Sequence, residues 1–299
     1  MNTKSMKNLH LEHPEDLILE GDLSVIHALY SQAHISLKID GAPAIVFGTN
    51  PENGQFFVGT KSVFNKKKIK ICYSKSDILR YYEEETHGEL IKILIECLLC
   101  LPRISNVVQA DFIGFGGSNV YKPNTLTYHF PEIVKEQVIL APHTEYIIED
   151  KMCDAVATPL KTPFVDSDDV KWVQPSVDRV FEKRDVPHII KDSVTFCTSK
   201  QAVEAKKAIN KLIRDRVELN DSNLWDILRC NQLVNLYQLV IELKKEVMDS
   251  LIVYGGPKCV LEGSEITGEG YVMYTEYGAL KLVDREEFAY ANFNYGNFN

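Results

Sequence analysis

Lys38 is followed by Ile39, Asp40 and Gly41 inside a largely apolar run spanning 35–47. An ammonium among strand-forming residues is costly to bury unless an opposite charge or a ligand compensates it. On an extended strand Lys38 and Asp40 would share one face, and Gly41 would open a turn where the backbone stays clear of a ligand. An amine placed this way can act as the nucleophile of covalent catalysis, provided partial burial and neighbouring cations keep it deprotonated. Taken alone, Lys-x-Asp-Gly equally describes an exposed lysine–aspartate pair before a turn.

Other chemistry-bearing residues recur on apolar, strand-like stretches further along. Asp111 lies in 107–117, Glu269 in Gly268-Glu269-Gly270-Tyr271-Val272, and Lys281 in Ala279-Leu280-Lys281-Leu282-Val283. A second acid–glycine pair, Glu262-Gly263, competes with Glu269, which is preferred for its Glu-Gly-Tyr-Val context. Lys61 lies on the strand-like segment 55–64, and Lys66, Lys67, Lys68 and Lys70 come directly after that strand. Beside a site that handles phosphates, such a run suits phosphate contact; elsewhere it is a solvated loop.

In this order, these residues resemble motifs I, Ia, III, IV and V of the covalent nucleotidyltransferase superfamily, which includes ATP-dependent RNA and DNA ligases and mRNA-capping enzymes. The pattern is closest to the phage RNA ligases and covers about 34–65, 105–150 and 258–288. The resemblance implies that Lys38 attacks the α-phosphate of ATP, carries AMP, and passes it to a polynucleotide 5′-phosphate before a 3′-hydroxyl displaces it. Lys38, Asp40, Gly41, Lys61, Asp111, Glu269 and Lys281 would then bind the nucleotide. Asp40, Asp111 and Glu269 would face Mg²⁺ or Mn²⁺, and Lys281 would contact the α-phosphate. The expected activity is that of an ATP-dependent polynucleotide ligase working in nucleic-acid repair, with RNA favoured because little chain follows motif V. The alternatives are a DNA ligase lacking a C-terminal oligonucleotide-binding domain, or a non-catalytic nucleic-acid- or protein-binding relative. The sequence departs from the family pattern at Pro43, at Phe115 after Gly114, and in having Lys281 where two lysines are common. His143 and Tyr146, in the region that resembles motif IIIa, are read as structural.

The elements that must position these groups suggest an α+β fold. The expectation is one nucleotidyltransferase domain over 1–299, with two antiparallel sheets, flanking helices and a helical insertion at 165–255. The motif strand runs on to Gly48, turns at Asn50-Pro51-Glu52-Asn53-Gly54 and returns through Phe64. The apolar segment Glu89–Leu101 reads as a buried helix stopped by Pro102, and apolar residues recur at helical spacing from Ala205 to Ile241.

With 45% apolar residues the 299-residue chain can form a real core. Its apolar stretches are too short for a membrane span, and its N-terminus lacks a signal-peptide pattern. The expected setting is soluble and cytoplasmic, with a viral gene as one source. A net charge of −9 argues against a protein that coats nucleic acid wholesale. The odd number of cysteines suits reduced thiols, and Cys97-Leu98-Leu99-Cys100 has no second ligand pair for a metal. His10, His13, His27 and His34 match no common metal-ligand spacing.

Overall fold

The computed structural model describes residues 11–180 and 194–289; His10 lies outside them. Among the described residues there are seven α-helices and several antiparallel sheets, none closed into a barrel. The chain divides into two compact units. Among the described residues, one takes Ile39–Gln174 and Gly255–Ile266; the other takes 11–38, 175–180, 194–254 and 267–289.

In the first unit a six-stranded sheet runs β3 (Phe56–Gly59), β2 (Ala44–Thr49), β4 (Val107–Phe115), β7 (Val138–Ile147) and β8 (Val156–Pro159). β9 (Val170–Trp172) pairs with β7 and supplies the parallel ladder. Alternation sends Val108, Ala110 and Phe112 of β4 into the core formed with α4 (Glu84–Cys100), where Ile93, Leu94 and Cys97 are buried. α3 (Lys75–Tyr81) precedes α4 and starts at a reciprocal cap between Ser74 and Asp77. α4 ends where Leu101, preceding Pro102, turns extended. A second sheet of the same unit orders β13 (Ser264–Ile266), β12 (Lys258–Leu261), β6 (Thr127–His129) and β5 (Val120–Tyr121). All seven cysteines are free thiols; the three buried ones, Cys72, Cys97 and Cys259, belong to this unit.

The second unit holds an antiparallel sheet of β1 (His34–Lys38), β14 (Gly270–Thr275) and β15 (Gly278–Leu282), and a ladder of β10 (Ser176–Arg179) with β11 (Leu251–Tyr254). Its helices are α1 (Pro14–Ile18), α2 (Ser24–Leu29), α5 (Ser199–Arg214), α6 (Asp221–Leu228) and α7 (Asn231–Asp249). α5 opens on a capping box between Thr198 and Gln201 and buries Ala202, Ala205, Ile209 and Ile213, one stripe at helical spacing. The helices of the segment expected as an insertion thus occupy 199–249 and pack in the unit that carries Lys38, Glu269 and Lys281.

Two expectations change. Among the described residues there are four sheets where two were read, and the motif run does not continue as one strand to Gly48. It breaks after Lys38 and resumes at Ala44, so Asp40 does not share a strand face with Lys38. Within the first unit the backbone of the break has other partners. Asp40 N–H donates to the Tyr128 hydroxyl, Ala42 N–H donates to Phe112 O, and Phe112 N–H donates to Pro43 O. Pro43 also has no N–H to extend a ladder.

Candidate functional site

The hairpin β14–β15 brings Glu269 and Lys281 beside the end of β1. In the register Lys38 faces Gly270, and Val272 faces Lys281. The Glu269 carboxylate accepts from the Lys38 ammonium through one oxygen, while its other oxygen lies 3.4 Å from Lys281 Nζ. Glu269 is only 5% exposed, whereas the Lys38 and Lys281 side chains keep 29% and 25% of their surface open. Two lysines thus meet one carboxylate while keeping part of their surface open to solvent, an arrangement that can receive an anion.

The glycine after Glu269 explains how the strands close on it. Gly270 has φ +143°, and a Cβ there would lie 2.3 Å from Leu282 O. Only glycine takes this backbone at such close approach. Glu262, the competing acid, stands elsewhere. With Gly263 it forms the two-residue turn between β12 and β13, both residues at positive φ as a tight hairpin requires. Its place is structural, in the first unit.

Asp40, Gly41 and Asp111 gather in the first unit. A Cβ on Gly41 would meet Phe112 O at 2.6 Å and the Asp111 Cβ at 3.1 Å, so this crossing also demands glycine. The Asp40 carboxylate accepts from Asn124 Nδ2 and Thr125 N–H, and Tyr128 O–H donates to the Asp40 carbonyl. Asp111 is on the sheet face opposite α4, with His143 Nε2 at 3.6 Å. Lys61 is not a strand residue: it begins a 3-10 turn, Lys61–Phe64, capped by the Thr60 side chain, and is exposed.

His143 and Tyr146 have more specific surroundings than a structural reading of the sequence gave them. The ladder between β4 and β7 slips at His143, so Thr144 faces Gln109 and Pro142 faces Ala110. That bulge aims the imidazole at Asp111 and Gln109. Tyr146 O–H donates to Gln109 Oε1 at 2.7 Å, which turns the Gln109 amide nitrogen toward His143 Nε2, 3.2 Å away. Nε2 then accepts, leaving Nδ1 to donate to the Thr144 hydroxyl at 2.6 Å. The sequence signal was Pro142, since proline inside a strand run marks an edge or a bulge.

Among the described residues no three His, Cys, Asp or Glu side chains are grouped to hold a metal ion. Two of the three carboxylates expected as ligands already have donors, Asp40 from amides and Glu269 from ammoniums, and they do not form a ready-made cage. No helix among the described residues is long and apolar enough to cross a membrane.

The chain belongs to the Family of unknown function (DUF6267), whose model matches residues 8–225 and 226–297. No curated protein and no solved structure matches it.

Proposed function

We propose that the protein is an ATP-dependent polynucleotide ligase, with RNA the favoured substrate, that works through a lysyl-AMP intermediate on Lys38. The carrying observation is the cluster Lys38–Glu269–Lys281, in which residues from three distant sequence motifs meet on adjacent strands of one sheet. In this reading Lys38 first gives up one ammonium proton to Glu269 or water, and its neutral Nζ then attacks the α-phosphorus of ATP, forming an N–P bond as the bond to pyrophosphate breaks. The proton that the amine sheds on forming that bond also passes to Glu269 or water. A polynucleotide 5′-phosphate then takes the AMP, the N–P bond breaks, and the amine regains its protons. Attack by a 3′-hydroxyl on that activated phosphate releases AMP and joins the strands. Covalent catalysis divides one difficult condensation into easier displacements. Lys281 supplies positive charge where negative charge builds on the α-phosphate. Divalent metal belongs to the reading as the ion that ATP phosphates bring, and no step here depends on a metal cage of protein carboxylates.

The test is incubation with ATP labelled in its α-phosphate. An acid-labile adduct should form on the unaltered protein and disappear in Lys38→Ala, while Lys38→Ala still joins a strand adenylylated beforehand by chemistry. Adduct formation that survives Lys38→Ala would move the nucleophile elsewhere. Absence of any adduct across divalent metals would leave a non-catalytic binding protein as the better reading.

A further inference from the structure

The segment 53–76 contains no aspartate or glutamate, although the chain has 42 acidic residues, and it carries six lysines. Lys66, Lys67 and Lys68 are exposed, and among the described residues none of their ammoniums forms an ion pair. They differ in this from two exposed lysines of α5: Lys207 lies 3.2 Å from Glu204, and Lys211 pairs with Asp215.

The loop that bears the three lysines is held at both ends. Before it, Val63 is buried and the Phe64 ring packs on Tyr146 at 4.3 Å between centroids. After it, Ile71 is buried, and Cys72 exchanges both backbone hydrogen bonds with Val58 at 3.0 Å. Lys70, the fourth lysine of the run, is an anchor: its ammonium sits 4.4 Å above the Tyr82 ring and donates to Tyr81 O at 3.1 Å. Across the loop Asn65 Nδ2 donates to Lys68 O, and Lys70 N–H to Ser62 O. The short stretch between Phe64 and Lys70 is therefore closed by its neighbours, and three uncompensated charges project from its tip. Holding the loop before contact reduces the ordering cost of binding.

We infer that Lys66, Lys67 and Lys68 form a docking point for the phosphate backbone of a polynucleotide. The inference rests on the ligase reading for its partner, but it concerns equilibrium binding and is measured without ATP. Failure to bind and failure to form an adduct are thus read separately. A polynucleotide presents successive phosphates that unpaired ammoniums can neutralise, and each neutralised phosphate contributes about 0.7 to the slope of log K against log salt.

The experiment follows binding of a fluorescent single-stranded oligoribonucleotide, and of the matching oligodeoxyribonucleotide, to the full chain between roughly 50 and 200 mM salt. Replacing all three lysines by glutamine should lower the slope by about 2 for either strand. Replacing all three by arginine should retain the slope, and Lys207→Gln with Lys211→Gln should leave it unchanged. Thermal unfolding of each variant confirms that it folds. An unchanged slope in the glutamine variant, an equal loss in the arginine variant, or no binding by the unaltered protein overturns the proposal. Binding of poly-glutamate as tight as that of the oligoribonucleotide also overturns it, and would assign the loop to an acidic polypeptide.

Discussion

The second unit contains two lysine–glutamate clusters built from similar parts. In one, Glu15 and Asp16 of α1 meet Lys244 of α7 and Arg285 beyond β15, all of them buried. Lys244 Nζ lies 2.6 Å from Glu15 Oε1, Arg285 Nη1 lies 2.8 Å from Asp16 Oδ1, and Arg285 Nη2 donates to Asn210 Oδ1 at 2.7 Å. Two carboxylates face two cations, the charges cancel, and little surface is left for a visitor. In the other, Glu269 faces Lys38 and Lys281, one carboxylate against two cations, with the lysines open to solvent. Balance and burial make the first a fixture of the fold; the second keeps its lysines within reach of solvent, as the ligase reading requires. A lysine–glutamate contact by itself does not separate the two.

The sharpest way to break this comparison is to remove one cation from each cluster. Arg285→Met strands Glu15 and Asp16 with a single cation inside the unit and should lower unfolding stability by about 3–5 kcal/mol in denaturant titrations. Lys38→Met removes a partly exposed partner and should cost less than about 1 kcal/mol in the same titrations. Equal costs would erase the distinction. Next in size, Lys281→Ala should slow both adduct formation and joining of a pre-adenylylated strand by about 10² to 10³, because the α-phosphate is at the reaction centre in each. A loss confined to one step would show that Lys281 does not follow that phosphate.

A further effect concerns pH. Burial drives the His13 imidazole down from an ordinary 6.5 to about 3, so the folded protein keeps it neutral where the unfolded chain takes a proton. Stability from this group is full above pH 6.5 and is lost as pH falls from 6.5 toward 3, by up to about 1.4 kcal/mol per unit. Burial alone would raise the Glu15 carboxyl, but Lys244, with His13 and Arg285, outweighs it and brings it from 4.5 to about 2. Its contribution is lost only below pH 4.5. Burial pushes Asp16 the other way, and this opposing effect is common to the parent and a His13 variant. His13→Leu should therefore flatten the fall in stability between pH 6.5 and 4.5 while leaving the steeper fall below it. An unchanged profile would remove His13 as the cause.

The outer cluster was legible because its members belong to a motif order that can be read without coordinates: Lys38 before Asp40-Gly41, Glu269 between glycines, and Lys281 on the next strand. The inner cluster was not, since nothing in 14–18, 244 or 285 announces a partner. One signal did exist. Lys244 falls on the buried stripe of α7 with Val240, Leu243 and Val247, a polar residue where helical spacing calls for an apolar one. The strand break after Lys38 was obscured because Ala42 to Phe47 continues the apolar pattern. What ends the ladder is non-local, namely Tyr128 and Phe112 claiming the backbone groups of Asp40, Ala42 and Pro43. His143 was passed over for the same kind of reason: a bulge is a property of two strands, and only Pro142 hinted at it.

The placement of the thiols gives the molecule an internal clock. Burial lifts Cys72 to about 12 and Cys259 to about 11, and raises Cys97 as well. At neutral pH these sulfurs carry almost no thiolate, the form that reacts with alkylating reagents. Their modification in native buffer therefore waits for the surrounding structure to open, and its rate measures that opening. Because all three lie in the unit built on the six-stranded sheet, the pace of their labelling times the breathing of that unit in an unmutated chain.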